Sequence, residues 1–311
     1  MNCCILGGSG FIGHHLVNLL SSQGKKLIVM GRNPNPTRIL PSGVRYISGN
    51  YGDKKLMKEV LTEVDEIVDL SYSSVPKTSY DDPVNDILTN LPSHVNLFEV
   101  ASLFPIKKIV FVSSGGTIYG KAINLPIKED HPTEPISPYG ITKLVVEKYA
   151  KMYHQLKELP VVCVRPSNAY GEGQATFAGQ GFITTVISSA LQGKEINIFG
   201  NNGVVRDYIY VKDVATGILA ALKFGRNGES YNIGSGIGLS NYDIIELIRK
   251  IIHSKDFSLD VKALPFRPFD VPSNILDSSK LINETGWKPE TPILEGLEAT
   301  WNFYENYFKK K

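Results

Sequence analysis

Tyr139 and Lys143 stand four residues apart in the run Tyr139-Gly140-Ile141-Thr142-Lys143. On a helix, positions i and i+4 share a face, so a phenol and an ammonium would point to one place. A nearby cation favours phenolate and lowers the tyrosine pKa from its ordinary value of about 10. Such a tyrosine could serve as general base towards a hydroxyl that loses hydride. The spacing alone is common on solvated helix faces; its setting gives it weight. It follows a strand-like run and a loop rich in hydroxyls and glycine, Val112-Ser113-Ser114-Gly115-Gly116-Thr117-Ile118-Tyr119-Gly120. A hydroxyl from that loop could bond the reacting oxygen and share its proton with Tyr139. The other reading of the loop is a strand-ending turn that happens to collect Ser and Gly.

Hydride transfer needs a carrier, and the N-terminus supplies a place for one. Gly7-Gly8-Ser9-Gly10-Phe11-Ile12-Gly13 follows an apolar run and opens an amphipathic one. Gly7, Gly10 and Gly13 let the backbone turn tightly, approach a pyrophosphate and pack the helix on a sheet, with Phe11 and Ile12 in the first helical turn. The helix N-terminus then faces the phosphates. The strand-before, helix-after context predicts dinucleotide binding. An acid at the end of the second strand would bond the 2′-hydroxyl of NAD. The chain instead reads Val29-Met30-Gly31-Arg32-Asn33. Arg32 could pair with a 2′-phosphate, which leans the expectation to NADP. It could equally stack on the adenine or lie in solvent.

These residues need a frame, and the rest of the pattern predicts one. Nearly continuous apolar, β-branched runs at 3–6, 27–30, 66–70, 108–112 and 161–164 read as strands buried on both faces. Helical patterns fall between them at 11–23, 53–63, 83–104 and 139–157. The alternation implies a Rossmann-type α/β fold with a doubly wound parallel sheet. Asp82-Pro83 and Ser137-Pro138 look like helix starts. After residue 165 the texture turns loop-rich. The expected organisation is a dinucleotide-binding domain over 1–165 and a smaller α/β substrate lobe over 166–311, interleaved at the boundary.

Composition sets outer bounds. The 311 residues are 42% apolar and 21% charged, and 33 basic against 31 acidic residues leave a net charge of +2. That balance offers no global attraction to nucleic acid or to an anionic membrane. No apolar run approaches the roughly 18 residues of a membrane span, and no signal peptide is recognisable, so a cytoplasmic setting is expected. Cys3, Cys4 and Cys163 lie in strand-like runs, where buried thiols are expected and no metal site is.

Taken together, the three motifs resemble the extended branch of the short-chain dehydrogenase/reductase superfamily, most of all its nucleotide-sugar epimerases of the UDP-glucose 4-epimerase type. The resemblance runs nearly end to end. It implies transient oxidation of the sugar at C4 by bound NAD or NADP, rotation of the 4-keto sugar, and return of the hydride to its other face. It makes Tyr139 and Lys143 the catalytic pair, with Ser114 as the third member. In relatives whose hydroxyl would align on Gly115 this chain has none, and Thr117 is then the reserve. By the same resemblance Asn168 and Arg206 hold the substrate diphosphate, while Arg267 and Asp270 hold phosphate and uridine ribose. Asn50 stands where an acid usually bonds adenine, Asn90 packs behind the site, and Lys77 loosely matches a cofactor-contacting lysine. Asn274 takes the place of a tyrosine that walls the sugar pocket near C2, which implies room for an acetamido group. The family pairs the helices at 83–104 and 139–157 across a two-fold axis, so a homodimer is expected through Ile87, Leu91, Val95, Val145, Tyr149 and Met152.

Two other functions fit the same residues. One is an NADPH-dependent 4-keto-sugar nucleotide reductase, which Arg32 favours. The other is a non-catalytic dinucleotide sensor, which would have no need of the substrate arginines. A 4,6-dehydratase usually carries Asp-Glu where this chain has Gly115-Gly116.

Overall fold

The computed structural model describes residues 1–177, 180–200, 203–252, 257, 259–265 and 271–310. The chain begins β1 (Asn2–Leu6), α1 (Phe11–Ser22), β2 (Lys26–Gly31), β3 (Arg45–Ser48), α2 (Lys54–Leu61), β4 (Glu66–Asp69), α3 (Pro76–Asp81) and α4 (Pro83–Ala101). It continues through β5 (Lys108–Val112), α5 (Pro138–Lys157), β6 (Val161–Pro166), β7 (Asn168–Tyr170), α6 (Phe182–Gln192), β8 (Ile196–Phe199), β9 (Val205–Tyr210) and α7 (Val211–Phe224). The remainder is β10 (Ser230–Ile233), β11 (Gly238–Ser240), α8 (Asn241–Ile252), β12 (Val261–Leu264), β13 (Ser273–Asn274), α9 (Ser279–Thr285) and α10 (Ile293–Lys309).

Seven strands form one parallel sheet in the order β10-β6-β5-β4-β1-β2-β3. This is the expected doubly wound fold. Successive residues of a strand face opposite sides, so a strand covered on both faces needs a continuous apolar stretch. In β1, Cys3 and Ile5 join Leu16 and Val17 of α1 and Val214 and Ile218 of α7 on one face. Cys4 and Leu6 join Met57 of α2, Phe98 of α4 and Val146 of α5 on the other. All three cysteines are buried and free. Among the described residues no three metal-binding side chains gather, and no helix is long and apolar enough to cross a membrane.

The expected helix starts are present. The Asp82 carboxylate accepts from Asn85 N–H at 2.9 Å, and the Ser137 hydroxyl accepts from Gly140 N–H at 3.1 Å. Each is followed by proline in the first turn, where the missing N–H costs no helical bond.

Residues after 165 contribute both to the large sheet and to the helices that cover it. β10 comes from the second half yet pairs with β6, and α7 packs against α1. What remains is built around β9, which pairs with β7, β11 and β13, and around the β8–β12 pair. Its own core includes Ile187, Ile244, Leu297 and Trp301.

Candidate active site

Strand order reverses between β1 and β4, which places a crevice beyond their carboxyl ends. A cleft of about 810 Å³ opens there. Its walls bring together Gly7, Gly10, Phe11, Ile12, Gly13, Ser114, Tyr139, Lys143, Asn168 and Arg206, residues spread over some two hundred positions of sequence.

At the cleft floor, Gly7 adopts φ 74° and its carbonyl accepts from Gly10 N–H at 2.9 Å. A Cβ on Gly13 would lie 2.4 Å from the Gly7 oxygen and 2.7 Å from Gly8 Cα. Helix α1 therefore sits directly on the turn. Its N-cap is Gly10, with no side chain capping the end and no acid in the first turn. A helix end left this way, facing a cleft, suits a pyrophosphate.

Lys143 and Tyr139 rise from the first turns of α5. Lys143 is 3% exposed, and its Nζ donates to the Val112 carbonyl at 2.7 Å. The ammonium lies 4.1 Å from the centre of the Tyr72 ring and 4.8 Å from that of Phe111. Burial pulls its pKa down to about 8, against the opposing pull of Asp69, Glu147 and Asp86. Tyr72 meets the Tyr139 ring edge-on at 4.8 Å.

The expected lowering of the Tyr139 pKa does not occur in the protein alone. Burial pushes it well above the usual tyrosine value, and the Asp86 carboxylate adds to the rise. Lys143 lies 5.9 Å from the Tyr139 ring centre and spends a hydrogen bond on the backbone. Asp86, 1% exposed, accepts from the Thr142 hydroxyl at 2.7 Å and brings negative charge under the same turn. Desolvation thus outweighs the cation, and the phenol keeps its proton until something else enters the cleft.

The hydroxyl-rich loop after β5 forms the facing wall. A Cβ at Gly115 would lie 2.4 Å from Leu276 Cδ1 and 2.8 Å from the Arg165 carbonyl, so a side chain there is blocked. Any hydroxyl must come from beside it, and both Ser114 and Thr117 line the cleft. The hydroxyls of Ser113, Thr117 and Ser167 are buried without a hydrogen-bond partner among the described residues. Each such group is costly unless a ligand or solvent satisfies it, so this wall fits a polyhydroxylated guest.

Asn274 departs from expectation. It is fully buried in β13, and its Nδ2 donates to the Gly115 carbonyl at 3.1 Å. That bond ties it to the backbone of the loop, it is not among the residues that line the cleft, and its Oδ1 is buried without a hydrogen-bond partner among the described residues.

At the far end of the cleft, Arg206 on β9 donates through Nη1 to the carbonyls of Val205 and Val271, at 2.9 and 2.8 Å. Asn168 stands beside Gly116 at the start of β7. Arg267 and Asp270 lie outside the described residues. Asn90 is 1% exposed and its Oδ1 accepts from Ser73 N–H at 2.9 Å, pinning the segment after β4. Lys77 lines the cleft at its mouth. Arg32 is exposed beyond β2, and exposed Asn50 uses its Oδ1 to accept from Gly52 N–H at 2.9 Å.

Tyr72 and Ser167 also line the wall, beside Ser113 of the hydroxyl-rich loop. Ser167 follows directly on β6, at the end of a strand. Tyr72 carries no signal in the sequence, since its neighbour Tyr139 is distant along the chain.

Comparison with known proteins bears on this geometry. Residues 3–234 match the NAD dependent epimerase/dehydratase family. A putative UDP-glucose 4-epimerase of Methanocaldococcus jannaschii is 32% identical over 97% of this chain and 98% of its own length. The UDP-glucose 4-epimerase of Thermotoga maritima, solved with UDP-glucose, superposes with a TM-score of 0.92 at 31% identity, covering 99% of this chain and 100% of that one. A dTDP-4-dehydro-6-deoxyglucose reductase of Escherichia coli is 28% identical over 94% of both chains. The glycine turn, the tyrosine–lysine pair and the full-length matches lead to one conclusion: the chain belongs to the NAD dependent epimerase/dehydratase family and is an enzyme of its nucleotide-sugar epimerase branch.

Proposed function

We propose that the protein is a nucleotide-sugar 4-epimerase that works by transient oxidation at C4, with Tyr139 as the proton acceptor. The observation that supports this best is the single cleft that holds the glycine turn at its floor, Tyr139 and Lys143 at its centre and Arg206 at its far end. A dinucleotide would lie over Gly7, Gly10 and Gly13, with Lys143 towards its nicotinamide end. NAD(P), when bound, supplies a hydride acceptor and afterwards a hydride donor. With an oxidised cofactor in the cleft, its positive charge together with that of Lys143 would favour the phenolate that burial alone suppresses. Tyr139 then takes the C4 hydroxyl proton as the C4–H bond breaks, and returns it when hydride arrives at the opposite face. Net redox is zero. Ser114 or Thr117 bonds the same sugar oxygen and keeps it within reach of Tyr139. Arg206 and Asn168 hold the diphosphate, which leaves the sugar free to turn about its link to it. Arg267 and Asp270 fit the same role in sequence.

The nucleotide is proposed to be UDP, by analogy with the Methanocaldococcus and Thermotoga proteins. NADP remains the expectation carried by Arg32. A homodimer is proposed through α4 and α5, which pack on each other and expose Val84, Ile87, Leu88, Ile141 and Met152.

A 4-keto-sugar reductase is the second reading, favoured by the Escherichia coli relative and by the missing acid beyond β2. The test is to denature the purified protein and identify what is released. Dinucleotide retained through purification supports the epimerase. A cleft that is empty on purification and fills only with added NADPH overturns it in favour of the reductase.

A further inference from the structure

The head of α5, which carries Tyr139, is not completed by its own residues. Pro138 has no N–H, Gly140 N–H donates to the Ser137 hydroxyl, and Ile141 N–H donates to the Ser137 carbonyl at 3.0 Å. The N–H of Tyr139 stands in the second helical position, where no carbonyl of its own helix can reach it. It donates instead to the Ser79 hydroxyl, 60 residues back in the chain, at 3.1 Å. Ser79 lies on α3 and is fully buried. Its own proton goes to the Pro76 carbonyl at 2.8 Å, which leaves a lone pair for Tyr139. The next residue, Tyr80, donates its phenol proton to the Ile136 carbonyl at 2.6 Å. Two consecutive residues of α3 thus hold the chain on either side of Ser137-Pro138.

The start of the α3 segment reaches the same turn by a second route. The Ser74 hydroxyl donates to Asp86 Oδ1 on α4, and the Thr142 hydroxyl donates to Asp86 Oδ2 at 2.7 Å. On another side of the turn, a Cβ on Gly140 would lie 2.7 Å from the Thr117 carbonyl oxygen, so the head of α5 abuts the hydroxyl-rich loop. The first turn of α5 is therefore held between that loop and α3. Val75, Pro76, Lys77 and Tyr80 of the α3 segment line the cleft that Tyr139 faces.

We propose that Ser79 is a positioning residue for Tyr139: through the backbone N–H it fixes where the phenol stands in the cleft, and it joins the α3 wall to the proton acceptor. Without the Ser79 hydroxyl, the Tyr139 N–H has no acceptor. A secluded N–H in that state is costly, so the head of α5 would shift or fray towards water. Lys143, one turn further on, is tied separately to the Val112 carbonyl. The phenol would then move relative to the ammonium, while the ammonium stays in place.

The role of Tyr139 as proton acceptor rests on the function proposed above, so the experiment has one arm that does not. In wild type, amide hydrogen exchange read by NMR should show the Tyr139 N–H protected, although amides at that helical position ordinarily exchange freely. Ser79→Ala should speed the exchange about five- to tenfold. A Tyr139 amide that exchanges in wild type as an open helix end does, or that stays as slow in Ser79→Ala, overturns the link whatever the enzyme does. The second arm is turnover of UDP-glucose, with Ser79→Ala and Tyr139→Phe made singly and together. Ser79→Ala alone should lower kcat about 10- to 100-fold and leave dinucleotide Kd as in wild type. Added to Tyr139→Phe it should change the residual kcat by less than about twofold, because the group it positions is already gone. An equal loss in both backgrounds, which a general loosening of the fold gives, overturns the positioning role, and so does no loss in the first. Thermal melting shows whether Ser79→Ala folds; if it does not, Ser79→Cys, similar in size and a weak acceptor, replaces it in both arms. If wild type itself turns over no nucleotide sugar, it is the proposed function that fails, and the first arm still decides Ser79.

Discussion

Gly13→Ala tests whether the glycine turn holds the cofactor. The added Cβ would meet the Gly7 oxygen at 2.4 Å and Gly8 Cα at 2.7 Å. Both are backbone atoms of the turn itself, so no side chain can swing aside. Ordinary contact is near 3.5 Å, so α1 and the turn must part by about 1 Å. Forcing such a separation in a packed interior costs about 1–3 kcal/mol. The cost falls where the phosphates must meet both the turn and the helix end, so much of it should appear in binding. Each 1.4 kcal/mol is tenfold in Kd, so dinucleotide affinity should fall about 5- to 150-fold. Gly24→Ala is the control. Gly24 has a φ of 74°, unlike helical Gly13, and nothing lies within 4 Å of an added Cβ. It should lower stability through backbone strain and leave affinity alone. Calorimetric titration with NAD and NADP, read beside the thermal midpoint, separates the two effects. Gly13→Ala binding dinucleotide as wild type does, whether or not it melts lower, would refute the placement of the cofactor on this turn.

Tyr139→Phe should lower turnover about 10²- to 10⁴-fold while dinucleotide binding survives, because only the proton acceptor is lost; turnover near wild type would remove the mechanism. Arg32→Ala should weaken NADP far more than NAD, by about 1.5–3 kcal/mol, if the guanidinium pairs with a 2′-phosphate; equal weakening of both would show that it does not. Lys143 gives a pH signature: its folded pKa is near 8 against an ordinary 10.5, so between those values the unfolded chain holds a proton that the folded one lacks. Stability should therefore rise with pH from 8 towards 10, by about 2–3 kcal/mol relative to Lys143→Met, read as the difference in denaturant midpoints. Light scattering at micromolar concentration should give a dimer, and Ile87→Glu with Leu88→Glu should give a monomer of unchanged secondary structure.

The sequence made the frame legible because the frame is periodic. Strands covered on both faces need a continuous apolar stretch, and β1, β2, β4, β5 and β6 each carry one, although β4 is bounded by buried Glu66 and Asp69 and β6 includes Arg165. The glycine turn was legible because steric demand at Gly13 leaves one residue type. Two strands of the large sheet escaped. β3 reads Arg-Tyr-Ile-Ser and lies at the sheet edge, where half its surface meets water. β10 reads Ser-Tyr-Asn-Ile, and its place beside β6 depends on a partner some seventy residues away. Neither carries the continuous apolar run that marks a central strand. The charge state of Tyr139 was misread for a related reason. Spacing shows which cation lies one helical turn away, but it shows neither the depth of the site nor Asp86, which a different helix delivers.

The placement of β10 also bears on how the site is held. β9 carries Arg206, and the chain runs from it through α7, which packs on α1, into β10, which closes the large sheet. Helix α1 is the one whose first turn abuts Gly7 and Gly8. The glycine turn and Arg206 are thus fixed to two helices in contact, with Leu16, Val17, Val214 and Ile218 sharing one core. A cut at residue 165 would therefore expose the β6 edge and strip α1 of its neighbour. For the function proposed above, in which the sugar would turn while the diphosphate and the cofactor stay still, flexibility would be needed only in the ligand, about the sugar–phosphate bond, and the two packed helices would keep both anchors rigid.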